Sequence, residues 1–154
     1  MGERHRLLLI RHAKTEQGFP DEVRQLTDQG RADAAAIGRW LGANDAVPDA
    51  VVVSPARRAR QTWQIAAEAL TSDIPSTVDD RIYDNSVDNL LAIAREADES
   101  VTTLAIVGHN PSIEQFAARY GGSVGVSTGS VVVFDVAGSW DGDIRFAAAE
   151  TCRG

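Results

Sequence analysis

The chain has 154 residues, enough for one domain of ordinary size whose core needs no disulfide or metal support. Its formal net charge of −7 argues against nucleic acid and against an anionic membrane surface as partners. Cys152 is the only cysteine and the three histidines are scattered, so we expect no internal disulfide, no metal site and no resident cofactor. We predict a single domain over 1–154. The lack of a signal-peptide core or a membrane-spanning apolar stretch predicts a cytoplasmic protein.

The first predicted element is a strand over 7–10, a run of four apolar residues that stops at a polar cluster. The run is too short for a buried helix and is typical of an interior strand of a parallel sheet. Arg11, His12 and Lys14 follow it directly. Open α/β sheets bind ligands at the carboxyl edge of their strands. Arg11 and His12 are therefore candidates for an anion site, whereas Lys14 is expected to be solvated.

A polar loop over 15–25 follows and is long enough to fold over a site. Arg24 lies near its end, as either a substrate contact or a surface charge. Thr27 is predicted to cap a packing helix that stops near Gly42. Neither His5, which precedes the first strand, nor Cys152 is expected to be engaged.

A second buried strand is predicted over 50–53, followed by a helix. Ser54 is predicted as the N-cap of that helix and Pro55 as its first residue. Cations are unfavourable at the start of a helix, so an arginine cluster there suggests that at least one of them meets an anion. The arginines of that first turn are Arg57, Arg58 and Arg60.

The second half of the chain repeats the strand-to-helix pattern. A short strand is predicted near 76–78, and Ser86 is predicted to cap a helix that runs to about Ala97. A strand over 102–107 ends at His109, where Asn110 is predicted to cap a helix with Pro111 at its first position.

Two further strands are predicted over 130–136 and 144–148, joined by a turn and therefore antiparallel. Because strands alternate with helices before that, we predict a three-layer α/β/α sandwich, with a mainly parallel sheet and an antiparallel edge.

Right-handed crossovers bring the carboxyl ends of parallel strands to one edge of the sheet. The side chains expected there match a phosphoryl group, because arginine forks fit its oxygens and helix-start amides add to the positive field. They are Arg11, His12, Arg58 and His109.

Three segments resemble the signatures of the histidine phosphatase superfamily, which has the phosphoglycerate-mutase-like fold. They are Leu-Ile-Arg-His-Ala-Lys at 9–14, Ser-Pro-Ala-Arg-Arg-Ala-Arg-Gln-Thr at 54–62 and Val-Gly-His-Asn-Pro at 107–111. Three motifs in order, each at a strand end, are specific where one alone is weak. The small size, the first motif and the segment that begins at Arg24 are most similar to bacterial phosphohistidine phosphatases of the SixA type.

The resemblance implies that His12 is the nucleophile and becomes a phosphohistidine intermediate, which water then hydrolyses. It implies that Arg11 and Arg58 hold the phosphoryl oxygens and that His109 completes the cradle. Arg58 is preferred to Arg57 because it precedes Ala in Arg-Ala-x-Gln-Thr. The remaining candidates for substrate binding are Arg24 and Asn110.

The leaving group decides the substrate class. A phosphate ester needs a general acid, and the carboxylates nearest in sequence lie in no trusted motif. These candidates are Glu16, Asp21 and Asp84. Phosphohistidine leaves as imidazole, whose pKa is near neutrality, and needs little acid help. Gly18 stands where other branches of the superfamily carry an Asn, which argues against mutase activity.

The sequence therefore predicts a metal-independent phosphatase that acts on phosphohistidine in a partner protein. One alternative is a phosphatase of small phosphomonoesters, which would need an acid such as Asp84. Another is a non-catalytic module that binds phosphorylated partners without turnover.

Overall fold

The computed structural model describes residues 4–154. Its strands and helices alternate through most of the chain, as predicted. The strands are β1 (Arg4–Arg11), β2 (Ala50–Val53), β3 (Ser76–Val78), β4 (Thr103–Gly108), β5 (Ser130–Ala137) and β6 (Ile144–Thr151). The helices are α1 (Asp28–Ala43), α2 (Arg57–Leu70), α3 (Val87–Arg95) and α4 (Ser112–Arg119).

The six strands form one sheet in the order β3-β2-β4-β1-β5-β6. The pairs β3-β2, β2-β4 and β4-β1 are parallel, whereas β5 runs antiparallel to both β1 and β6. At the centre, Leu9 of β1 lies opposite Ile106 of β4 and Val132 of β5. The predicted parallel sheet with an antiparallel edge is confirmed.

Side chains of β1 alternate between two apolar cores, one on each face of the sheet. Leu7 and Leu9 belong to the core covered by α3 and α4. Leu8 and Ile10 belong to the core covered by α1 and α2. All four side chains are fully buried, which explains the uninterrupted apolar run. Helices on both faces confirm the three-layer sandwich.

The start of α2 differs from the prediction. The helix begins at Arg57 with Ala56 as its N-cap residue, and no side chain caps it. Ser54 does not cap the helix because its hydroxyl lies 2.7 Å from Nε2 of His109 and accepts a hydrogen bond from the amide of Ala56. Pro55 therefore lies in a bend before the helix.

The start of α4 is also displaced by one residue. The helix begins at Ser112, so Pro111 is its N-cap residue and not its first helical residue. Asn110 still accepts a hydrogen bond from the amide of Glu114, at 3.3 Å. Its amide nitrogen donates to the carbonyl of Val126 at 2.8 Å, which holds the side chain between the helix and a neighbouring loop.

Other boundaries shift slightly. The first helix continues past Gly42 to Ala43, and the third helix ends at Arg95, before Ala97. None of the helices within residues 4–154 is long and apolar enough to cross a membrane.

The prediction that His5 is unengaged was wrong. The strand β1 reaches back to Arg4 and pairs with β5 there, which buries His5 opposite Val136. Its Nδ1 lies 2.9 Å from the carbonyl oxygen of Val101, and its ring stacks on Trp140 with centroids 4.7 Å apart. His5 therefore has a packing role, at the end of β1 away from His12.

The helices α1 and α2 pack closely at Gly38, which is buried. A Cβ atom built on Gly38 would lie 2.3 Å from the carbonyl oxygen of Ala66 in α2. Because that neighbour is backbone, it cannot move aside without shifting the helix. The same atom on Gly42 would meet only the flexible side chain of Leu70, at 3.4 Å.

These two glycines form a matched test of the packing. An alanine in a helix interior is favoured over glycine by about 1 kcal/mol, so Gly42→Ala should leave the free energy of unfolding unchanged or raise it. Gly38→Ala should instead lower it by about 1–3 kcal/mol, because the methyl group overpacks the contact. Urea denaturation of both variants measures the difference. Equal effects would contradict the close contact.

Candidate active site

The carboxyl ends of β1 and β4 lie side by side and carry the two histidines. Arg11 pairs with Gly108 in the parallel register, so His12 and His109 follow at equivalent positions. Their ring centroids are 5.3 Å apart. The next parallel strand, β2, is followed directly by Ser54, whose hydroxyl contacts His109. The predicted edge is therefore where the polar cluster assembles.

His12 is held as one tautomer. Its side chain is 7% exposed, and Nδ1 lies 2.8 Å from the carbonyl oxygen of Ala13. A carbonyl can only accept, so Nδ1 carries the hydrogen and Nε2 keeps its lone pair. Burial above all, together with the positive charges of Arg58 and Arg11, lowers the pKa of His12 to about 4 against the opposing effect of that carbonyl. His12 is thus a neutral imidazole near pH 7.

His109 is the more strongly shifted of the two histidines. Burial lowers its pKa to about 3, and His12 and Arg58 act in the same direction. The hydroxyl of Ser54 accepts from Ala56, so its own hydrogen is available to Nε2 of His109. When the hydroxyl donates to Nε2, the ring hydrogen of His109 lies on Nδ1, which is buried and has no partner.

Hydrogen bonds to two loops hold the guanidinium groups of Arg11 and Arg58. Arg11 donates from Nη1 to the carbonyl of Val126, at 2.8 Å. Arg58, which is buried, donates from Nη1 to the backbone oxygen of Asp21 at 3.0 Å and from Nη2 to its carboxylate at 3.1 Å. The Nε–H group of each arginine is buried without a partner.

Three buried donors thus lack acceptors: Nε of Arg11, Nε of Arg58 and Nδ1 of His109. Each such group costs about 1–3 kcal/mol if nothing accepts from it. The two histidine rings lie 5.3 Å apart, and the positive charges of both arginines lower the pKa of both histidines, so the four side chains form one cluster. A cluster of unsatisfied donors of this kind suits an anion with several oxygens, such as a phosphoryl group.

Asp21 organises one wall of the cluster. Its carboxylate accepts from the hydroxyl of Tyr83 at 2.6 Å and forms ion pairs with Arg58 and Arg24. The hydrogen bond from Tyr83, followed by the charge of Arg58, lowers the pKa of Asp21 despite partial burial. Asp21 is therefore ionised near pH 7. It lies in a 3₁₀ turn over Asp21–Val23, within the loop that follows β1.

Tyr83 is a site residue that the sequence analysis missed. Its ring meets that of His109 edge-on, with centroids 5.8 Å apart, and Cζ of Arg58 lies 6.0 Å from the centre of the tyrosine ring. It belongs to a 3₁₀ turn over Asp80–Asp84 that follows β3. Its position after a strand was the only available signal.

The structure brings together Arg11, His12, Arg58 and His109. Arg24 lies at the margin, where it binds Asp21 and donates to the hydroxyl of Thr15, and its charge contributes to lowering the pKa of His12.

The other polar candidates lie further out. Asn110 shares the carbonyl of Val126 with Arg11. Lys14 is exposed, as predicted. Glu16 is exposed and accepts from Gln25, and Asp84 is exposed with Asn89 at 3.5 Å. Within residues 4–154 no group of three or more acidic, histidine or cysteine side chains is arranged to hold a metal ion.

Comparison with known proteins gives matches in sequence and in structure. An uncharacterized protein of Mycobacterium tuberculosis is 32% identical over 145 residues, which cover 85% of this chain and 89% of that protein. A protein from Agrobacterium tumefaciens with the provisional name phosphohistidine phosphatase SixA has a TM-score of 0.83 and 26% identity, over 96% of this chain and 97% of its own. The protein histidine phosphatase SixA complexed with tungstate has a TM-score of 0.85 and 20% identity, over 95% and 96%.

The family model for the histidine phosphatase superfamily, branch 1, matches residues 7–119. That range includes β2, β4, the part of β1 from Leu7 onwards, and Arg11, His12, Arg58 and His109. The chain therefore belongs to branch 1 of the histidine phosphatase superfamily and resembles its SixA-type members.

Proposed function

We propose that this protein is a metal-independent phosphatase that hydrolyses phosphohistidine on a partner protein, with His12 as the nucleophile. One observation carries the proposal. His12 is a neutral imidazole with its hydrogen fixed on Nδ1, and it stands among three buried N–H donors that lack acceptors. Membership of the superfamily supports phosphatase activity in general.

In the proposed first step, Nε2 of His12 attacks the phosphorus atom and the bond between phosphorus and the substrate imidazole breaks. The substrate ring, protonated by water on its other nitrogen, leaves as neutral imidazole. Arg11 and Arg58 stabilise the charge spread over the equatorial oxygens, and Nδ1 of His109 donates to one of them. Water then attacks the phosphohistidine on His12, which releases phosphate and restores the imidazole. Loss of one such donor typically lowers kcat by a factor of about 10²–10³.

The carboxylates of the site support a phosphohistidine substrate over an ester. Asp21 is the acidic side chain bound to Arg58, and it is held ionised by Tyr83 and Arg58, so it is a poor proton donor. The carboxyl groups of Glu16 and Asp84 are exposed and engaged elsewhere. A leaving imidazole needs less help from an acid than a leaving alkoxide does.

The comparisons support the same proposal. The SixA structure with tungstate, a tetrahedral anion, shares the fold of this chain. Other structures of the same fold carry names that point to small phosphates, including an alpha-ribazole-5′-P phosphatase from Escherichia coli with a TM-score of 0.71 and 16% identity. A small phosphomonoester is therefore the second candidate substrate.

The protonation states can be measured directly. In an NMR titration of labelled histidine rings, His12 should titrate near pH 4 and His109 near pH 3, well below the value of about 6.5 for an exposed histidine. Because the folded pKa lies below the unfolded one, the unfolded chain binds more protons as the pH falls from about 6.5 towards 4, and the free energy of unfolding should decrease over that range. A His109→Gln variant assigns the signals. A midpoint for His12 at or above 6.5 would contradict the neutral nucleophile.

The covalent intermediate should be trapped on His12. Acid-labile, base-stable phosphate should appear there after rapid quenching of the enzyme with a phosphohistidine substrate, and mass spectrometry locates it. His12→Asn should abolish both the label and turnover, because the amide has no nucleophilic nitrogen. Tight binding of phosphate without label or turnover would support a non-catalytic binding module instead.

The role of an acid can be tested with two matched variants. Asp84→Asn should leave turnover of phosphohistidine and of a phenyl phosphate ester within about twofold, because its carboxylate is exposed and outside the cluster. Asp21→Asn should lower turnover of both substrates by a similar factor, since it weakens the hold on Arg58. If either variant abolished ester turnover selectively, that residue would be a general acid and the small-ester candidate would be favoured.

A further inference from the structure

The loop between β1 and α1 presents an apolar surface beside the site. Phe19 is 95% exposed and Val23 is 54% exposed, which makes them unusual among the large hydrophobic side chains of residues 4–154. Both line a surface depression of about 170 Å³, together with Arg24 and Arg57. We call this the Phe19 patch, defined as Phe19, Val23, Arg24 and Arg57.

The loop that carries the patch is attached to the rest of the protein at two places. Its base is closed by a bridge between Thr15 and Leu26. Its middle is fastened to α2, because Asp21 binds Arg58 through both its backbone oxygen and its carboxylate.

The attachment of Asp21 to Arg58 also places Phe19 close to the candidate active site. Phe19 lies two residues before Asp21, so their Cα atoms are at most about 7 Å apart. Asp21 in turn contacts Arg58, one of the residues around the unsatisfied donors. If the phosphoryl group of a substrate protein reached those donors, the protein surface around the phosphorylated side chain would therefore lie next to Phe19.

We infer that the Phe19 patch docks the protein that carries the phosphohistidine, through an apolar side chain flanked by acidic residues on that protein. This inference rests on the proposed function and names how the partner is held. Burial of an exposed aromatic side chain against a partner lowers the free energy of the complex, and aromatic residues are enriched at binding hot spots.

Arg24 of the patch is already paired with Asp21, so the charge that favours an acidic partner is that of Arg57. Arg57 is exposed and forms no ion pair within residues 4–154, although the whole chain has a net charge of −7. Glu16 also lines the depression, but its carboxylate accepts from Gln25. The neighbouring Arg60 is a further exposed cation of the same helical turn. Complementary charge at the rim of an interface mainly raises the association rate.

The test compares a large and a small substrate. The wild-type enzyme is assayed on two carrier proteins phosphorylated on histidine with phosphoramidate, one acidic and one basic, and on free phosphohistidine. Phe19→Ala should lower kcat/KM for the acidic phosphoprotein about tenfold, mainly through KM, and leave free phosphohistidine within about twofold. Phe19→Leu, which keeps an apolar side chain, should restore most of the loss. Arg57→Gln should lower the rate on the acidic carrier more than on the basic one.

Val23→Ala and Val47→Ala form a matched control pair. Both remove the same atoms from an exposed valine, but Val47 lines a depression with Arg4 and Thr103, at the opposite end of the strands. Only Val23→Ala should lower kcat/KM for the acidic phosphoprotein. An equal loss on free phosphohistidine and phosphoprotein, or no loss from Phe19→Ala on either, would overturn the docking surface. Failure of the wild-type enzyme to dephosphorylate any histidine substrate would instead overturn the proposed function.

Discussion

The parallel pairing of β1 with β4 is the constraint on which the site depends. Because Arg11 lies opposite Gly108, the histidines that follow the two strands lie side by side, with ring centroids 5.3 Å apart. A slip of the register by one residue would turn one histidine to the other face of the sheet. The apolar side chains of β1, buried in cores on both faces, are what hold the register. Packing deep in the sheet thus determines the geometry at its edge.

Burial gives that edge its electrostatic character. Two guanidinium groups and two imidazoles are gathered where water is largely excluded, and the imidazoles respond by remaining neutral. Nη1 of Arg11 donates to a carbonyl oxygen, and both Nη atoms of Arg58 donate to oxygens of Asp21. Their inner donors are left without acceptors. The site thus combines an uncharged imidazole with a positive wall.

The sequence predicted the parts that follow from local pattern. Apolar runs identified the strands, and polar clusters after them identified Arg11, His12 and His109 as neighbours. It did not predict the part played by Ser54, because a serine before a proline also fits a helix cap. The hydroxyl instead contacts His109, from a strand next to β4.

Contacts between loops were the least predictable. Asp21 and Tyr83 lie 62 positions apart, and only the folding of two 3₁₀ turns over the same arginine brings them together. No periodicity marks either turn. His5 was missed for a related reason, because the pairing of β1 with β5 beyond the apolar run cannot be read from that run.

The carbonyl of Val126 has a consequence beyond its two hydrogen bonds. It accepts from Arg11 and from Asn110, while the amide of the same residue donates to the carboxylate of Glu114. The backbone on both sides of Val126 is thereby held between the first strand and the fourth helix. The length of the connection from α4 to β5 therefore helps to set the orientation of Arg11. In a relative with a longer or shorter connection, we expect the equivalent arginine to be oriented differently, even if every motif is the same.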